Sequence, residues 1–264
     1  MMITVPRKLI GQIMGTLIVA APGILMAQSA DLNKTKTLLD ARSKYYNLRT
    51  LGMSEVRATI QPNWDMLLAG TDAAAGTKPL LEHLHFWISI DGEGKLRLDH
   101  DGKAVPADKL DGIEQIFRGM NSTVTGFFRT WSIFSLTSPF PQPGSDYSVS
   151  RMPDGYRFSQ RQDQLDVAID TDNEFAIREI KVVAFDRTSS LKPDLEKTPA
   201  GFMLRGYQAS SVRADGNRTT VLAALEYGTV GGLRVLQKVN LDTVFQGAST
   251  KFEWSFSDYA IKMR

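Results

Sequence analysis

The chain has 264 residues, of which 42% are hydrophobic, and its 31 lysine and arginine residues nearly balance 29 aspartate and glutamate residues. Without a block of basic residues, the chain lacks the electrostatic footprint of a protein that binds nucleic acid or an anionic membrane. The absence of cysteine excludes a disulfide framework, a thiolate metal site and a lipid-modified cysteine.

Residues 1–27 have the pattern of a secretory signal peptide. Arg7 and Lys8 precede an apolar run that ends shortly before Ala27. We expect cleavage after Ala27, with a site nearer Ala30 as the alternative. A retained membrane anchor is less favoured, because the run is interrupted and a spanning helix needs about 20 apolar residues. The expected location is therefore the periplasm or the extracellular space.

The segment after the leader predicts one helix followed by three strands. Residues 31–46 show a weak helical pattern with Asp31 as the candidate N-cap. Residues 53–60 alternate in polarity and predict the first strand. Residues 80–90 and 95–100 predict the next two strands, joined by an Asp-Gly turn that is typical of a hairpin.

The longest helical pattern covers residues 106–136. Its apolar residues recur at spacings of three and four, which places them on one stripe of a helix. They are Leu110, Ile113, Ile116, Phe117, Met120, Val124, Phe127, Phe128, Trp131 and Phe134. Pro106 suits the first turn, and Pro139 prevents the helix from continuing far beyond Leu136. A stripe with so many aromatic residues requires a broad apolar partner.

The rest of the chain consists of short alternating runs separated by turn residues, which predicts an antiparallel meander. The runs are 147–151, 156–161, 164–170, 175–186, 202–213, 219–227, 233–241 and 252–263. In the last run the apolar residues change from even to odd positions, because Phe256 is followed by Tyr259. One extra residue near Ser257 and Asp258 would keep both sets on the same face, so we expect a β-bulge there.

The predicted fold class is α+β. We expect residues 28–264 to form a single domain, built as a strongly curved antiparallel sheet, or half-barrel, of about ten strands covered by two helices. The helix at 106–136 is inserted in the middle of the chain. It is the expected cover for the concave apolar face that an open, curled sheet leaves.

Two segments resemble the LolA/LolB-like lipoprotein-carrier superfamily, which includes LppX-type lipid-binding lipoproteins. They are residues 43–51, SKYYNLRTL, which lead into the strand at Val56, and the hairpin at residues 225–235, LEYGTVGGLRV. The order of the predicted elements is also similar. The resemblance implies a half-open β-barrel with helices as a lid, and an exported protein that holds acyl chains without covalent chemistry. Unlike LolB-like members, this chain has no cysteine to carry a lipid.

The sequence contains no recognised catalytic motif. His83 and His85 would share one face of the predicted strand, as metal ligands can, but no third ligand follows from the spacing. The acidic pairs Asp163 with Asp166 and Asp170 with Asp172 flank turns, where aspartate serves the backbone. We therefore expect no catalytic residues, no metal and no cofactor, and a protein that is not an enzyme. An enzyme with an unrecognised site is the least favoured alternative.

The expected function is that of a carrier or sensor that binds a lipid or a lipoprotein acyl chain between sheet and helix. The expected ligand-binding residues are bulky and apolar: Ile113, Phe117, Met120, Val124, Phe127, Phe128, Trp131, Trp254 and Phe256. Candidates for contact with a head group are Arg97, Arg129, Arg178 and Arg205. The alternative is a structural or interaction module of the cell envelope, with a filled core, that meets envelope proteins through its sheet edges.

Overall fold

The computed structural model describes residues 33–69, 74–101, 110–162 and 164–264. One antiparallel sheet of twelve strands dominates this part of the chain. The strands are β1 Met53–Pro62, β2 Phe86–Ile90, β3 Leu96–His100, β4 Ser148–Met152, β5 Gly155–Gln162, β6 Leu165–Thr171, β7 Ile177–Ala184, β8 Arg187–Thr198, β9 Gly201–Arg213, β10 Arg218–Val230, β11 Leu233–Phe245 and β12 Ala248–Met263. The helices are α1 Lys34–Ser43, α2 Trp64–Leu67, α3 Ala74–Glu82 and α4 Leu110–Ser135.

The strand order follows the chain except at one place, where β12 pairs with β1. Across the sheet the order is β3-β2-β1-β12-β11-β10-β9-β8-β7-β6-β5-β4. The sheet is therefore open, with β3 and β4 as its edge strands, and α4 lies in the segment that connects these two edges. Short turns join neighbouring strands from β4 to β12, whereas β1 and β2 are joined by a longer segment that contains α2 and α3. Between β10 and β11, Gly231 and Gly232 have φ of 55° and 80°, the left-handed conformation that a two-residue type I′ turn requires.

The core forms where α4 packs on one face of the sheet, which we call the inner face. The ring of Phe127 lies 6.1 Å from that of Trp254, and the ring of Phe128 lies 5.8 Å from that of Phe256. Both partners are on β12, the fourth strand from the β3 edge of the sheet. Aromatic pairs of this kind combine a large buried area with a preferred ring geometry, so they fix the helix on the sheet.

A buried hydrogen-bond chain also fastens α4 to the sheet. The indole Nε1 of Trp131 donates to the hydroxyl of Tyr227 on β10 at 3.1 Å. That hydroxyl in turn donates to the backbone oxygen of Leu204 on β9 at 2.7 Å. Burial raises the pKa of Tyr227 well above its usual value. The hydroxyl therefore stays neutral, and its polar atoms are satisfied inside the core.

Two features predicted from the sequence are confirmed. The predicted helix at 106–136 corresponds to α4, although residues 102–109 lie outside the described residues. The predicted bulge is present in β12, because Thr59 pairs with Ser257 whereas Arg57 pairs with Ala260. One residue of β1 thus faces two residues of β12, and Asp258 has a φ of 50°.

The predicted numbers of strands and helices were wrong: about ten strands and two helices were expected, and the described residues contain twelve and four. β8 is a wholly unpredicted strand, because its sequence, RTSSLKPDLEKT, is polar and contains Pro193. Within the predicted strand at 80–90, residues 80–82 belong to α3 instead. α1 begins at Lys34 and is capped by the side chain of Asn33, whereas Asp31, the predicted cap, lies outside the described residues.

We predict that Gly206→Ala destabilises the sheet. A Cβ at Gly206 on β9 would lie 2.5 Å from the backbone oxygen of Ala223 on β10, so the strands must shift. Overpacking of this kind costs about 1–3 kcal/mol, measured as the free energy of unfolding in urea. Gly119→Ala on the exposed side of α4 is the control, since its Cβ meets no atom within 4 Å and should stabilise the helix by about 1 kcal/mol. Equal midpoints for the two variants would contradict the prediction.

We predict that Asp170→Asn lowers the free energy of unfolding at neutral pH, and that this loss disappears in acid. Arg157 donates to both carboxylate oxygens of Asp170, at 2.6 and 2.7 Å, and these hydrogen bonds lower the pKa of Asp170. A lowered pKa stabilises the fold above the unfolded-state pKa of about 3.9, and this contribution disappears as pH falls through the folded-state pKa. The half-exposed pair should contribute about 1 kcal/mol at pH 7.

Urea titrations at pH 7 and at decreasing acidic pH measure this difference. Asp194→Asn is the matched control, because its pair with Arg205 is mostly exposed and should add little. A stability loss in Asp170→Asn that stays constant down to the lowest pH would show that the ion pair is not its cause.

Candidate functional site

Eight of the nine predicted ligand-binding residues lie together where α4 meets the sheet. Of these, Phe117 is half-buried, and the other seven are at most 5% exposed: Met120, Val124, Phe127, Phe128, Trp131, Trp254 and Phe256. Ile113 lies in α4, but its side chain is outside the described residues. The structure therefore places this aromatic stripe in the hydrophobic core.

The aromatic stripe is packed by its own members and by strand residues. Phe128 lies 5.1 Å from Phe127 and 5.5 Å from Trp131, measured between ring centroids. At the other end, the ring of Phe117 lies 4.3 Å from that of His100 on β3. These side chains occupy the space in which the sequence predicts a cavity. Their role as ligand contacts stays a prediction.

An apolar groove of about 280 Å³ lies beside this core, between α4 and the inner face of β7, β8, β9 and β10. We call it the α4 groove. The helix contributes Thr130, Ile133 and Phe134, and the apolar strand residues are Ile180, Val182, Leu191, Ala209 and Val221. Ile133 is 40% exposed although it lies next to buried Phe134. The groove is therefore an accessible apolar surface that continues directly from the core.

The strand register explains the depth of the α4 groove. Ile180 pairs with Leu191, Leu191 pairs with Ala209, and Ala209 pairs with Val221, so one row of inner-face side chains crosses four strands. Ala209 is much smaller than the residues on either side of it in this row. Because cross-strand neighbours lie only about 5 Å apart, a short side chain in the middle of the row leaves a depression.

Tyr207 lies two residues before Ala209 of the α4 groove, and Tyr207 itself does not line the groove. It is buried on the inner face of β9 and shares a side-chain hydrogen bond with Thr130 of α4. Burial raises the pKa of Tyr207 to about 12, although the hydrogen bond with Thr130 opposes that shift. The hydroxyl stays protonated at neutral pH, and Tyr207 joins the helix to the sheet beside the groove.

The lining of the groove extends to Ser189, Ser211 and Thr219, toward the end of the sheet that carries the β7–β8, β9–β10 and β11–β12 turns, and we call this end the mouth. Thr219, at the outer end of the groove, pairs with Phe245 on β11, so Phe245 lies on the same face and is 50% exposed. Phe185, in the β7–β8 turn, is 94% exposed. Phe245 is therefore half-exposed on the inner face next to the groove, and Phe185 is exposed in a turn at the same end of the sheet.

The predicted histidine arrangement was wrong. His83 lies in a turn after α3 and His85 precedes β2, so the two residues do not share a strand face. His85 Nδ1 lies 2.8 Å from Asp101 Oδ2. Within the described ranges, no group of three or more potential ligands is arranged to hold a metal ion.

The acidic pairs have structural partners where they are described. Asp166 lies 3.3 Å from Arg161, and Asp172 accepts hydrogen bonds from the backbone of its own turn. Asp163 lies outside the described residues. The candidate head-group residues, Arg97, Arg129, Arg178 and Arg205, are exposed and do not line the α4 groove.

Sequence reasoning missed most of the α4 groove. β8, which supplies Leu191, was not predicted as a strand. Ile133 did not belong to the apolar stripe of the helix. An isoleucine beside the stripe, next to Phe134, was the available signal, because it widens the apolar surface of α4 beyond what a single core face requires.

The chain was compared with protein-family models, curated proteins and solved structures, and no match was found. The resemblance to LolA/LolB-like carriers therefore rests on the two sequence segments and the order of elements. In the described part of the chain, no helix combines the length and the apolar character needed to span a bilayer.

We predict that Phe127→Ala and Ile133→Ala lower the free energy of unfolding by very different amounts. Phe127 is 2% exposed and packed between α4 and β12, so its truncation should cost about 3–5 kcal/mol of unfolding free energy. Ile133 borders the open groove, so its truncation should cost less than about 1 kcal/mol. Urea denaturation of both variants provides the comparison, and similar losses would mean that the groove is closed in solution.

Proposed function

We propose that this protein binds a single lipid or acyl chain in the α4 groove and acts as a carrier or sensor of that ligand. The observation that carries the proposal is the lining of the groove, in which eight of the thirteen described residues are aliphatic or aromatic and which is reachable from solvent. Most apolar side chains of this size are buried in a protein's own core. An accessible concave surface made of them is typical of a binding site.

The volume of the α4 groove limits the size of the ligand. An apolar cavity of about 150 Å³ holds one benzene molecule. The groove measures about 280 Å³, so it has room for roughly ten carbon atoms. Burial of about ten methylene groups gains about 8 kcal/mol before the cost of ordering the chain, which sets an upper limit near micromolar affinity. A longer chain would extend beyond the mouth.

The proposal includes a strongly curved sheet in an exported protein. Contacts of α4 with both β3 and β9 support the curvature, since a helix inside a half-barrel meets strands on both of its sides. The bulge at Asp258 also supports it, because bulges bend strands. Export is proposed from residues 1–27, which lie outside the described residues. Binding of this kind involves no covalent chemistry and no cofactor.

A structural or interaction module of the cell envelope is the second candidate function. The dense packing of Phe127, Phe128 and Trp131 against β12 favours it, because the inner face is filled over that region. In this case the α4 groove would be only the margin of the core. Native mass spectrometry of the purified protein separates the two candidates, because a carrier should retain acyl-containing molecules.

We predict that Val221→Trp abolishes binding of an uncharged chain. The indole would occupy the α4 groove, so the affinity for 1-decanol, measured by calorimetric titration, should fall at least tenfold. Leu222→Trp is the matched control, since Leu222 is the next residue of β10, faces the opposite side and is 59% exposed. Unfolding midpoints of both variants should stay near that of the unmodified protein. Failure of 1-decanol to bind the unmodified protein, or full binding by Val221→Trp, would overturn the proposal.

A further inference from the structure

Polarity changes in regular steps along β8 and β9 from the floor of the α4 groove to its mouth. Leu191 pairs with Ala209 in the apolar floor, and Ser189 pairs with Ser211 two residues further out. The two serine hydroxyls lie 3.1 Å apart. Alternate residues of a strand share a face, so the next inner-face pair outward is Arg187 with Arg213. The aliphatic floor, the hydroxyl pair and the arginine pair span about 14 Å along the strand.

The arginine pair is unfavourable unless an anion lies close to it. Like charges directly opposite each other on neighbouring strands repel. Arg187 is exposed and makes no ion pair with any residue that the structure describes. The ion pair of Arg213 within the same set of residues is a long one, 3.7 Å to Asp215 in the adjoining turn. Arg213 thus has a distant partner in Asp215, whereas the Arg187 guanidinium has no carboxylate partner among the described residues and is available to an anion.

The chemistry of this pair selects the ligand class. A guanidinium group presents a planar fork of N–H donors that matches the paired oxygens of a carboxylate or a phosphate. Such an anion at the arginine pair would lie at the open end of the groove, with its hydrocarbon chain pointing toward Leu191 and Ala209. Ser189, Ser211 and Thr219 lie between the two parts, where hydroxyl groups can donate to the anion.

We propose that the α4 groove binds an anionic single-chain amphiphile, whose carboxylate or phosphate head is held by Arg187 and Arg213. This inference rests on the proposed function and specifies its ligand. It assigns the head group to residues other than the four arginine candidates of the sequence analysis. None of those four belongs to the inner-face row that leads out of the groove.

The test is a calorimetric comparison of three ten-carbon probes: 1-decanol, decanoate and decyl phosphate. In the unmodified protein, both anions should bind at least tenfold more tightly than 1-decanol, and added salt should weaken the advantage. Arg187→Gln combined with Arg213→Gln should remove this advantage and leave the affinity for 1-decanol unchanged. The tighter anion identifies the source of the head group, a fatty acid for decanoate or a phosphate-bearing lipid for decyl phosphate.

Arg218→Gln is the matched control for this experiment. Arg218 belongs to the same end of the sheet but pairs with Val212 on the opposite face, so its loss should not affect either anion. Anions that bind no better than 1-decanol would overturn the inference while the proposed function stands. So would an equal loss in Arg218→Gln and in the double variant. If 1-decanol itself does not bind, the proposed function fails, and the inference fails with it.

Discussion

The packing of α4 on β12 is the interaction on which the rest of the structure depends. The sheet is open, and its two edge strands, β3 and β4, are connected through the segment that contains this helix. Phe127 and Phe128 pair with Trp254 and Phe256 on β12, the fourth strand from the β3 edge, so the helix is fixed to the inner face rather than to an edge. Without this contact, the inner face of a twelve-stranded sheet would be exposed to water.

The α4 groove follows from a difference in extent between the helix and the strands. β8, β9 and β10 have 12 or 13 residues each, and along β9 burial falls from Tyr207, which is 5% exposed, to half-buried Ala209 and Ser211 and exposed Arg213. Beyond Tyr207 the inner face continues toward the turns with no helix pressed on it. The same residue types that form the core then line an accessible surface. Core and candidate binding site are two parts of one apolar face, distinguished by whether the helix fills the space.

Much of the fold could be predicted from the sequence, because its strongest patterns reflect burial. The helical spacing of the aromatic residues indicated α4, and the change of parity after Phe256 indicated the bulge at Asp258. β8 could not be predicted in this way. Its residues Lys192 and Asp194 alternate with only half-buried partners, and its place in the sheet is set by pairing with β9 along its whole length. Backbone pairing of this kind leaves no hydrophobic pattern in the sequence.

The candidate site was harder to predict than the fold, because periodicity shows which side chains face inward and does not show how closely they pack. Trp131 and Phe127 have the pattern expected of a cavity wall, and they lie in filled core. Ala209 deepens the groove only because of its neighbours on β8 and β10. Those neighbours follow from strand register, which a single sequence specifies weakly when a strand is polar.

The pairing of β1 with β12 affects the order in which the strands of the sheet can pair during synthesis. Ser54 on β1 bonds to the backbone of Lys262 on β12, 208 positions later in the chain. At a synthesis rate of about 5–20 residues per second, β1 waits roughly 10–40 s for this partner. Every other strand pairs with a neighbour that emerges immediately before or after it. Among the strand edges that are paired in the finished sheet, the β1 edge that receives β12 therefore stays open longest, and newly made chains are most open to wrong association there.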